Sequence, residues 1–478
     1  MKKSLVGRKK ESGILIEALQ SNEPEMVAVI GRRRVGKTFL VKQVCQEHIL
    51  FEVTGLQDAG LKKQLANFSF SLTQYSGSPT PLKTPTNWLE AFQMLVLHLD
   101  KIPDEPKKVV FFDEVPWMAS KKSDFLTGLG FFWNSWAVNR NIVVVICGSA
   151  ASWMIDKVLN NRGGLHNRIT KRIFLEPFNL AETEAYLNSR SIHFNRYQIV
   201  ELYMALGGIP HYLKEIKAGK SAVQNIDSIC FSKEGLLRDE FSRLYPALFA
   251  NADKHIAIIR ALATSRQGLT RQKTLQLAHL SEGGNTSKVL QELEQSGFIS
   301  SYFPFGKKKK GKLYRLTDEY SLFYLQFMED KSHDGSQTWQ HLSQTQAYKT
   351  WSGYAFENIC LKHIPQIKKA LGIAGVYSRS SSFIKKGTDT EKGTQIDLLI
   401  DRNDKVINLF EIKFYNAQLS ISADYARALR EKIRVFQETT NTRKHIMLTL
   451  ITTFGLKANK HSLGLVDQVL ELDDLFEG

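Results

Sequence analysis

The chain has 478 residues, of which 43% are hydrophobic and 10% aromatic, and its formal net charge is +16. This length allows two to four domains with their own cores, and the composition excludes a disordered or fibrous chain. No apolar run is long enough to span a bilayer, so we expect a cytoplasmic protein without a membrane partner. The positive charge favours an anionic partner, either a nucleotide or a nucleic acid. The four cysteines lack metal-ligand spacing, which favours reduced thiols over zinc.

The most specific motif follows the apolar run 27–30, which predicts a buried strand. Residues 31–38 read GRRRVGKT and fit the pattern GxxxxGK[S/T] of a phosphate-binding loop, and a helical pattern follows them. The glycines allow the backbone amides to approach a phosphate, the lysine reaches the β- and γ-phosphates, and the threonine hydroxyl helps to hold Mg²⁺. The predicted nucleotide-binding residues are Gly31, Arg32, Arg33, Arg34, Val35, Gly36, Lys37, Thr38, Phe39 and Asp113.

A second acidic motif ends the apolar run 109–112, which predicts another buried strand. Asp113 at its end is expected to hold Mg²⁺ through a water molecule, and Glu114 to act as the general base for the attacking water. The stretch HILFEVTG, which comes between the two motifs in the chain, also has a strand pattern. We therefore expect an additional strand between the Walker A and Walker B strands, as in the additional-strand class of P-loop ATPases.

The stretch NIVVVICGSA predicts the next strand, and KRIFLEPF predicts the fifth. Ser149 ends the former, where it would sense the γ-phosphate, cap the helix that follows, or do both. Before the fifth strand lie Arg162, Arg168 and Arg172, of which Arg168 is the preferred arginine finger. The alternative is that these arginines are only solvated. A finger acting across a subunit boundary would require an oligomer.

Five separated motifs, LVGRKKE, GRRRVGKT, VVFFDEVPWM, VVVICGSA and GGIPHYL, together resemble the archaeal-type AAA+ and STAND-related ATPases. The resemblance covers about the first 230 residues. It implies binding of ATP and Mg²⁺, an α/β core over residues 1–178 and a helical lid over residues 179–235. It also implies that Gly7 and Arg8 border the adenine.

Residues 236–330 have the pattern of a winged helix-turn-helix, with three helices followed by two alternating strands around a lysine-rich turn. Its third helix would read the major groove of DNA, and the wing would neutralise phosphates. The alternative is a spacer that contacts other proteins. The predicted nucleic-acid contacts are Lys288, Lys307, Lys308, Lys309, Lys310 and Lys312.

Residues 340–478 carry charged side chains inside apolar stretches. Glu357 lies in an amphipathic helix, Asp397 in one strand, and Glu411 and Lys413 in a second strand that the turn DRND connects to the first. Alternation places Glu411 and Lys413 on one face, and the hairpin brings Asp397 near Glu411. Asp397 and Glu411 would hold Mg²⁺, and Lys413 would orient a nucleophile.

This set of four residues resembles the PD-(D/E)XK, restriction-endonuclease-like fold, in which the following helix would turn Gln437 or Arg434 to the site. The complete prediction is an α/β chain. It comprises a P-loop NTPase with a parallel sheet and a helical lid, a winged helix-turn-helix, and an α/β restriction-endonuclease-like domain. The predicted function is Mg²⁺-dependent ATP hydrolysis coupled to DNA binding or cleavage. The alternative is a STAND-like switch whose nuclease-like domain is inert and contacts protein partners.

Overall fold

A computed structural model describes residues 5–120, 123–160, 163–249, 251–307, 311–329, 338–387 and 393–477. The chain divides into two compact units, Met1–Pro177 and Phe178–Gly478. None of the described helices combines the length and the apolar character needed to cross a bilayer. All four cysteines are buried as free thiols.

The first unit alternates strands and helices. Its strands are β1 (Glu25–Ile30), β2 (Ile49–Thr54), β3 (Lys108–Asp113), β4 (Ile142–Gly148) and β5 (Lys171–Phe174). Its helices are α1 (Lys9–Gln20), α2 (Lys37–Cys45), α3 (Leu61–Ser76), α4 (Trp88–Leu99), α5 (Val115–Met118), α6 (Phe125–Ser135) and α7 (Ala151–Met154).

The strands of the first unit form a parallel sheet in the order β2-β3-β4-β1-β5. The parallel P-loop sheet that the sequence predicts is confirmed. A strand does lie between the Walker A strand β1 and the Walker B strand β3, as the sequence predicts, but this strand is β4. The expectation that HILFEVTG supplies it is wrong, because β2 is at the edge of the sheet. Burial explains this order: β1, β3 and β4 are buried along their whole length, as central parallel strands are, whereas β2 is only partly buried.

Aromatic side chains fill one face of this sheet. Phe51 of β2 and Phe112 of β3 meet Phe68, Trp88 and Phe92 from α3 and α4, with ring centroids 5.0–6.2 Å apart. Most of these contacts are edge-to-face, and they add to the stabilisation that burial supplies. They anchor the carboxyl end of β3 directly before Asp113.

The second unit contains the remaining elements. Its helices are α8 (Leu180–Asn188), α9 (Arg196–Leu206), α10 (Pro210–Leu213), α11 (Ala222–Ile226), α12 (Glu240–Leu244), α13 (Ala252–Ala263), α14 (Arg271–Leu277), α15 (Gly284–Gln295), α16 (Glu319–Phe327), α17 (Thr338–Leu342), α18 (Gln346–Lys362), α19 (Ile364–Ala370) and α20 (Ala423–Thr440). Its strands are β6 (Leu269–Thr270), β7 (Ile299–Tyr302), β8 (Leu313–Leu316), β9 (Ser378–Lys385), β10 (Thr394–Arg402), β11 (Val406–Lys413), β12 (Leu419–Ser420), β13 (His445–Thr452), β14 (Leu456–Lys457) and β15 (Gln468–Leu470).

A mixed sheet in the order β15-β13-β11-β10-β9 forms the centre of the C-terminal part. Strands β9, β10 and β11 are antiparallel, and β13 and β15 continue the sheet in parallel. The pairing of Leu398 with Phe410 places Asp397 and Glu411 at the next register position of the β10–β11 hairpin. Helix α20 packs Ala426, Leu429 and Phe436 into the same apolar core as the sheet residues. The nuclease-like identity of this part stays a prediction.

A small antiparallel sheet has the order β6-β8-β7. Its strand β6 lies between α13 and α14 in the chain, and β7 and β8 follow α15. Thr270 caps α14 by accepting a hydrogen bond from the Lys273 amide, as helix N-caps commonly do. After β7, the Phe305 amide donates to the Ser382 carbonyl oxygen, and the Phe305 ring packs 5.2 Å from Phe436. The base of the predicted wing is therefore attached to the C-terminal sheet. Its assignment to a winged helix stays a prediction.

Candidate functional site

The loop between β1 and α2 needs glycine at both of its ends, for different reasons. A β-carbon at Gly31 would lie 2.3 Å from the Leu175 carbonyl oxygen, so no side chain fits there. Gly36 has a φ of 96°, a conformation that L-residues rarely adopt. Arg34, between them, also has a positive φ, of 73°. The loop backbone therefore holds the tight turn that close approach to a phosphate requires.

Two buried cationic side chains donate to carbonyl groups of this loop. The Lys37 ammonium donates to the Arg32 carbonyl oxygen at 3.1 Å, across the turn. The Arg8 guanidinium donates to the Val35 carbonyl oxygen at 3.2 Å. The family resemblance implies only that Arg8 borders the adenine. Its contact with the loop backbone was not predicted, because it joins residues 27 positions apart.

Thr38 and Asp113 meet at the carboxyl edge of the sheet, although they come from different elements. The Thr38 hydroxyl donates to Asp113 Oδ2 at 2.7 Å, and the Asp113 side chain is almost completely buried. A hydroxyl and a carboxylate at this place are oxygen ligands of the type that Mg²⁺ prefers. The pair fits the magnesium that the sequence predicts beside the phosphate-binding loop.

Glu114 lies next to this pair in a left-handed conformation, with φ 50° and ψ 49°. Its Oε2 accepts hydrogen bonds from the Ser149 amide at 3.0 Å and from the Ser149 hydroxyl at 2.8 Å. Ser149 does not cap α7, whose N-cap is Ala150. Of the two predicted roles for Ser149, the cap is therefore wrong. The serine contacts the proposed base, and its role as a γ-phosphate sensor stays a prediction.

The remaining predicted residues of the first unit lie on the surface or at its margin. Phe39 is exposed, and Arg33 is half-buried. Arg168 and Arg172 are exposed, while Arg162 lies outside the described residues. The arginine finger therefore stays a prediction.

The four predicted residues of the C-terminal part lie in one cluster around Glu411. Glu411 Oε1 is 3.0 Å from the Lys413 ammonium and accepts a hydrogen bond from the Tyr425 hydroxyl at 2.9 Å. Its Oε2 is 2.6 Å from the Lys432 ammonium. Burial opposes ionisation of this carboxyl, but Lys432 and Lys413 outweigh it and lower the pKa of Glu411 to about 2.

Glu357 lies in the same cluster but has the opposite electrostatic behaviour. Burial, and next the negative charge of Asp397, raise the pKa of Glu357 to about 8, against the attraction of Lys413 and Arg315. Arg315 comes from β8, is buried, and donates to the Tyr302 hydroxyl at 3.3 Å. Asp397 accepts a hydrogen bond from Gln395. A carboxyl that stays protonated near neutral pH, beside an ionised one, is typical of functional sites.

The helix after these strands does not present the residues that the sequence suggested. Arg434 is exposed and paired with Glu431 and Glu438, and Gln437 is exposed. Tyr425 and Lys432 reach Glu411 instead. The reason is the rotation of α20 about its own axis, because its apolar contacts with the sheet determine which face is buried.

The cluster does not fit the predicted Mg²⁺ as it stands. Both carboxylate oxygens of Glu411 are paired with lysine ammonium groups. The Lys432 ammonium therefore lies at the place where a metal cation would neutralise the carboxylate. Across the described residues, no group of three or more His, Cys, Asp or Glu side chains is arranged to hold a metal ion. The metal-ligand roles of Asp397 and Glu411 stay a prediction.

The predicted nucleic-acid contacts are partly paired. Lys288 lies 3.7 Å from Glu292, and Lys312 lies 3.6 Å from Glu294. Lys307 is exposed. The wing residues Lys308, Lys309 and Lys310 lie outside the described residues.

Comparison with known proteins bears on the first part of the chain. Residues 5–216 match a family described as an ATPase domain predominantly from Archaea. The match includes the phosphate-binding loop and the strand that ends in Asp113 and Glu114, so this part of the chain is similar to ATPase domains of the archaeal type.

Three individual proteins are similar to this chain. An uncharacterized protein of Methanocaldococcus jannaschii is 24% identical over 422 residues, which cover 86% of this chain and 87% of that protein. The solved structure of a Walker-type ATPase of Pyrococcus abyssi has a TM-score of 0.49 at 16% identity, and covers 68% of this chain and 97% of that one. The Aeropyrum pernix ORC2 protein has a TM-score of 0.43 at 16% identity, over 68% of this chain and 95% of that one.

Proposed function

We propose that the archaeal-type ATPase domain of this protein hydrolyses ATP in the presence of Mg²⁺, and that the C-terminal unit binds nucleic acid. The observation that carries the first part is the 2.7 Å hydrogen bond between Thr38 and Asp113. This contact brings the hydroxyl at the end of the phosphate-binding loop to the buried carboxylate after β3, which is the pairing that a magnesium-nucleotide site needs.

Each side chain of the ATPase site then has a role in the proposed reaction. The loop amides and Lys37 bind the β- and γ-phosphates. Thr38 and Asp113 would hold Mg²⁺, which would neutralise charge on the phosphates. Glu114 takes the proton of the attacking water on Oε1, since both hydrogen bonds from Ser149 go to Oε2. Ser149 is the proposed γ-phosphate sensor, and Arg168 is the proposed finger.

Substitution of Lys37 by alanine is expected to lower the affinity for ATP by about 100-fold, because charge-assisted hydrogen bonds to two phosphates are lost. Isothermal titration calorimetry with Mg²⁺ and ATP measures this loss. Lys42→Ala is the matched control, since Lys42 is in the same helix but pairs with Glu52 at 2.6 Å. Unchanged ATP affinity in Lys37→Ala would contradict the assignment of the loop.

For the second unit we propose a winged helix-turn-helix and a restriction-endonuclease-like domain that together bind DNA. The support is the convergence of Glu357, Asp397, Glu411 and Lys413 in one cluster, with Arg315 of β8 beside it. The exposed cations of the predicted recognition helix and wing, Lys288 and Lys307, would contact phosphates.

The second candidate function is a STAND-like switch, in which the nuclease-like domain is inert and transmits the nucleotide state to protein partners. The observation that favours it is the pairing of Glu411 with two lysines, because a carboxylate held in this way is not free to bind a metal ion.

A DNA assay separates the two candidates. If the first is correct, labelled duplex DNA binds with an affinity that falls steeply with salt, and Lys307→Ala lowers the slope of that dependence by about one. If the domain also cleaves DNA with Mg²⁺ or Mn²⁺, Asp397→Asn abolishes cleavage and leaves ATP turnover unchanged. If the protein neither binds nor cleaves DNA but hydrolyses ATP normally, the result supports the switch. Lys368→Ala, which removes a lysine from α19 outside the predicted DNA contacts, serves as the control for Lys307→Ala.

A further inference from the structure

A cavity of about 530 Å³ lies among three helices of the second unit, apart from the phosphate-binding loop. The end of α13 and the residues after it line one side, α16 lines another, and the first three turns of α18 line the third. A volume of this size is in the range of small-molecule binding sites. It is large enough for one nucleotide.

Two aromatic side chains of α18 form an aromatic wall of this cavity. Trp351 and Tyr354 both line it, and they are 5% and 7% exposed. The Trp351 indole nitrogen is buried and has no hydrogen-bond partner among the described residues. A buried donor left without an acceptor is costly. A planar ligand with an acceptor at its edge would both cover the wall and satisfy this donor.

The charge of the lining selects for an anion. Arg266 is the one charged side chain among the lining residues that the structure describes, and it is exposed. Its guanidinium forms no hydrogen bond and no salt bridge with the described part of the chain, so it is available to a ligand. Neutral polar side chains, among them Thr350 and Gln346, line the mouth on α18. The aromatic wall, the unpaired indole donor of Trp351 and the free guanidinium of Arg266 together match a heteroaromatic ring that carries a phosphate.

We propose that this cavity is a second nucleotide-binding site, in which a nucleobase lies against Trp351 and Tyr354 and its phosphate pairs with Arg266. The site does not depend on ATP hydrolysis at the phosphate-binding loop. Tyr354 lies about one turn before Glu357, so the cavity and the Glu357 cluster lie on neighbouring turns of α18. The occupant is either a free mononucleotide or one nucleotide of a single strand, and both present the same base and phosphate.

Titration with dTMP tests the chemistry of the ligand. This probe lacks the β- and γ-phosphates that the phosphate-binding loop grips, so wild type and Lys37→Ala should bind it equally. Arg266→Gln is expected to weaken binding by about tenfold or more, and Trp351→Phe, which removes the indole donor, by a smaller factor. Ala347→Phe places a ring in the cavity from an exposed position and should abolish binding. Calorimetry measures the affinity of the wild type and of the four variants for dTMP.

Lys349→Gln is the matched control, because Lys349 is an exposed cation of the same helix that does not line the cavity. It should bind dTMP like the wild type. Tighter binding of a short oligo(dT) than of dTMP identifies a strand as the source, and binding of dTMP alone identifies a free nucleotide. Three results would overturn the proposal. They are no binding of either probe, equal affinity of the wild type for inorganic phosphate and dTMP, and equal affinities of Arg266→Gln and Lys349→Gln for dTMP.

Discussion

Replacement of Glu114 by glutamine is expected to slow ATP hydrolysis by about 100-fold or more while ATP binding is retained. Glutamine keeps the size of the side chain and an oxygen that can accept the two hydrogen bonds from Ser149. It cannot accept a proton from the attacking water. The binding residues of the loop, Lys37 and Thr38, are unchanged by this substitution. Phosphate release at saturating ATP measures the rate, and calorimetry measures the affinity.

A control for this experiment is Glu47→Gln, which makes the same chemical change at an exposed position of the first unit. It should hydrolyse ATP at the wild-type rate. If Glu114→Gln also hydrolyses at that rate, Glu114 is not the base, and its contact with Ser149 is only structural. If instead Glu114→Gln no longer binds ATP, the carboxylate contributes to binding rather than to the chemical step.

The sequence could predict the phosphate-binding loop because its determinants are contiguous. The glycines, Lys37 and Thr38 follow one another between a strand and a helix, so local geometry alone brings the functional groups together. The position of β2 could not be predicted in this way. Which strand pairs with which depends on the burial that each neighbour offers, and the chain order of the motifs does not record it. The contact from Arg8 to the loop could not be predicted either, because it joins residues that are distant in the chain.

The C-terminal cluster shows a similar division. The turn between β10 and β11 is short, so the proximity of Asp397 and Glu411 followed from a local hairpin. Tyr425 and Lys432 were missed because their direction depends on how α20 docks on the sheet. One signal was present in the sequence: these two residues are seven positions apart and therefore share a face of the helix. That face borders the apolar stripe that is buried against the sheet.

The free energy of unfolding of the wild type is expected to fall as the pH rises. Replacement of Glu357 by glutamine should abolish most of this fall. Burial is the largest cause that raises the pKa of Glu357, to about 8 from an ordinary value of 4.5, and repulsion from Asp397 is the next. Glu411 adds a smaller repulsion, while Lys413 and Arg315 oppose these effects. A neutral amide has the shape of the protonated carboxyl and avoids the cost of ionisation in this environment.

The direction of the effect follows from proton binding. Between pH 4.5 and pH 8 the unfolded chain ionises this carboxyl, while the folded chain keeps it protonated and so binds more protons. The stabilisation is therefore complete below the unfolded pKa and is lost as the pH rises through the folded pKa. From about pH 5 to about pH 9, the free energy of unfolding of the wild type should fall by roughly 3–4 kcal/mol relative to that of Glu357→Gln. Urea unfolding with EDTA present measures the difference at each pH.

Two further variants test the cause of this effect. Glu234→Gln removes an exposed glutamate of the same unit and should leave the pH dependence of the free energy of unfolding as in the wild type. Asp397→Asn removes the neighbouring charge, so the pKa of Glu357 falls and the loss of stability becomes smaller, although burial preserves part of it. A constant stability difference between wild type and Glu357→Gln across this pH range would show that Glu357 ionises freely in the folded protein. In that case the cluster is open to water, and Glu357 is not the buried acid that a nuclease-like site would hold.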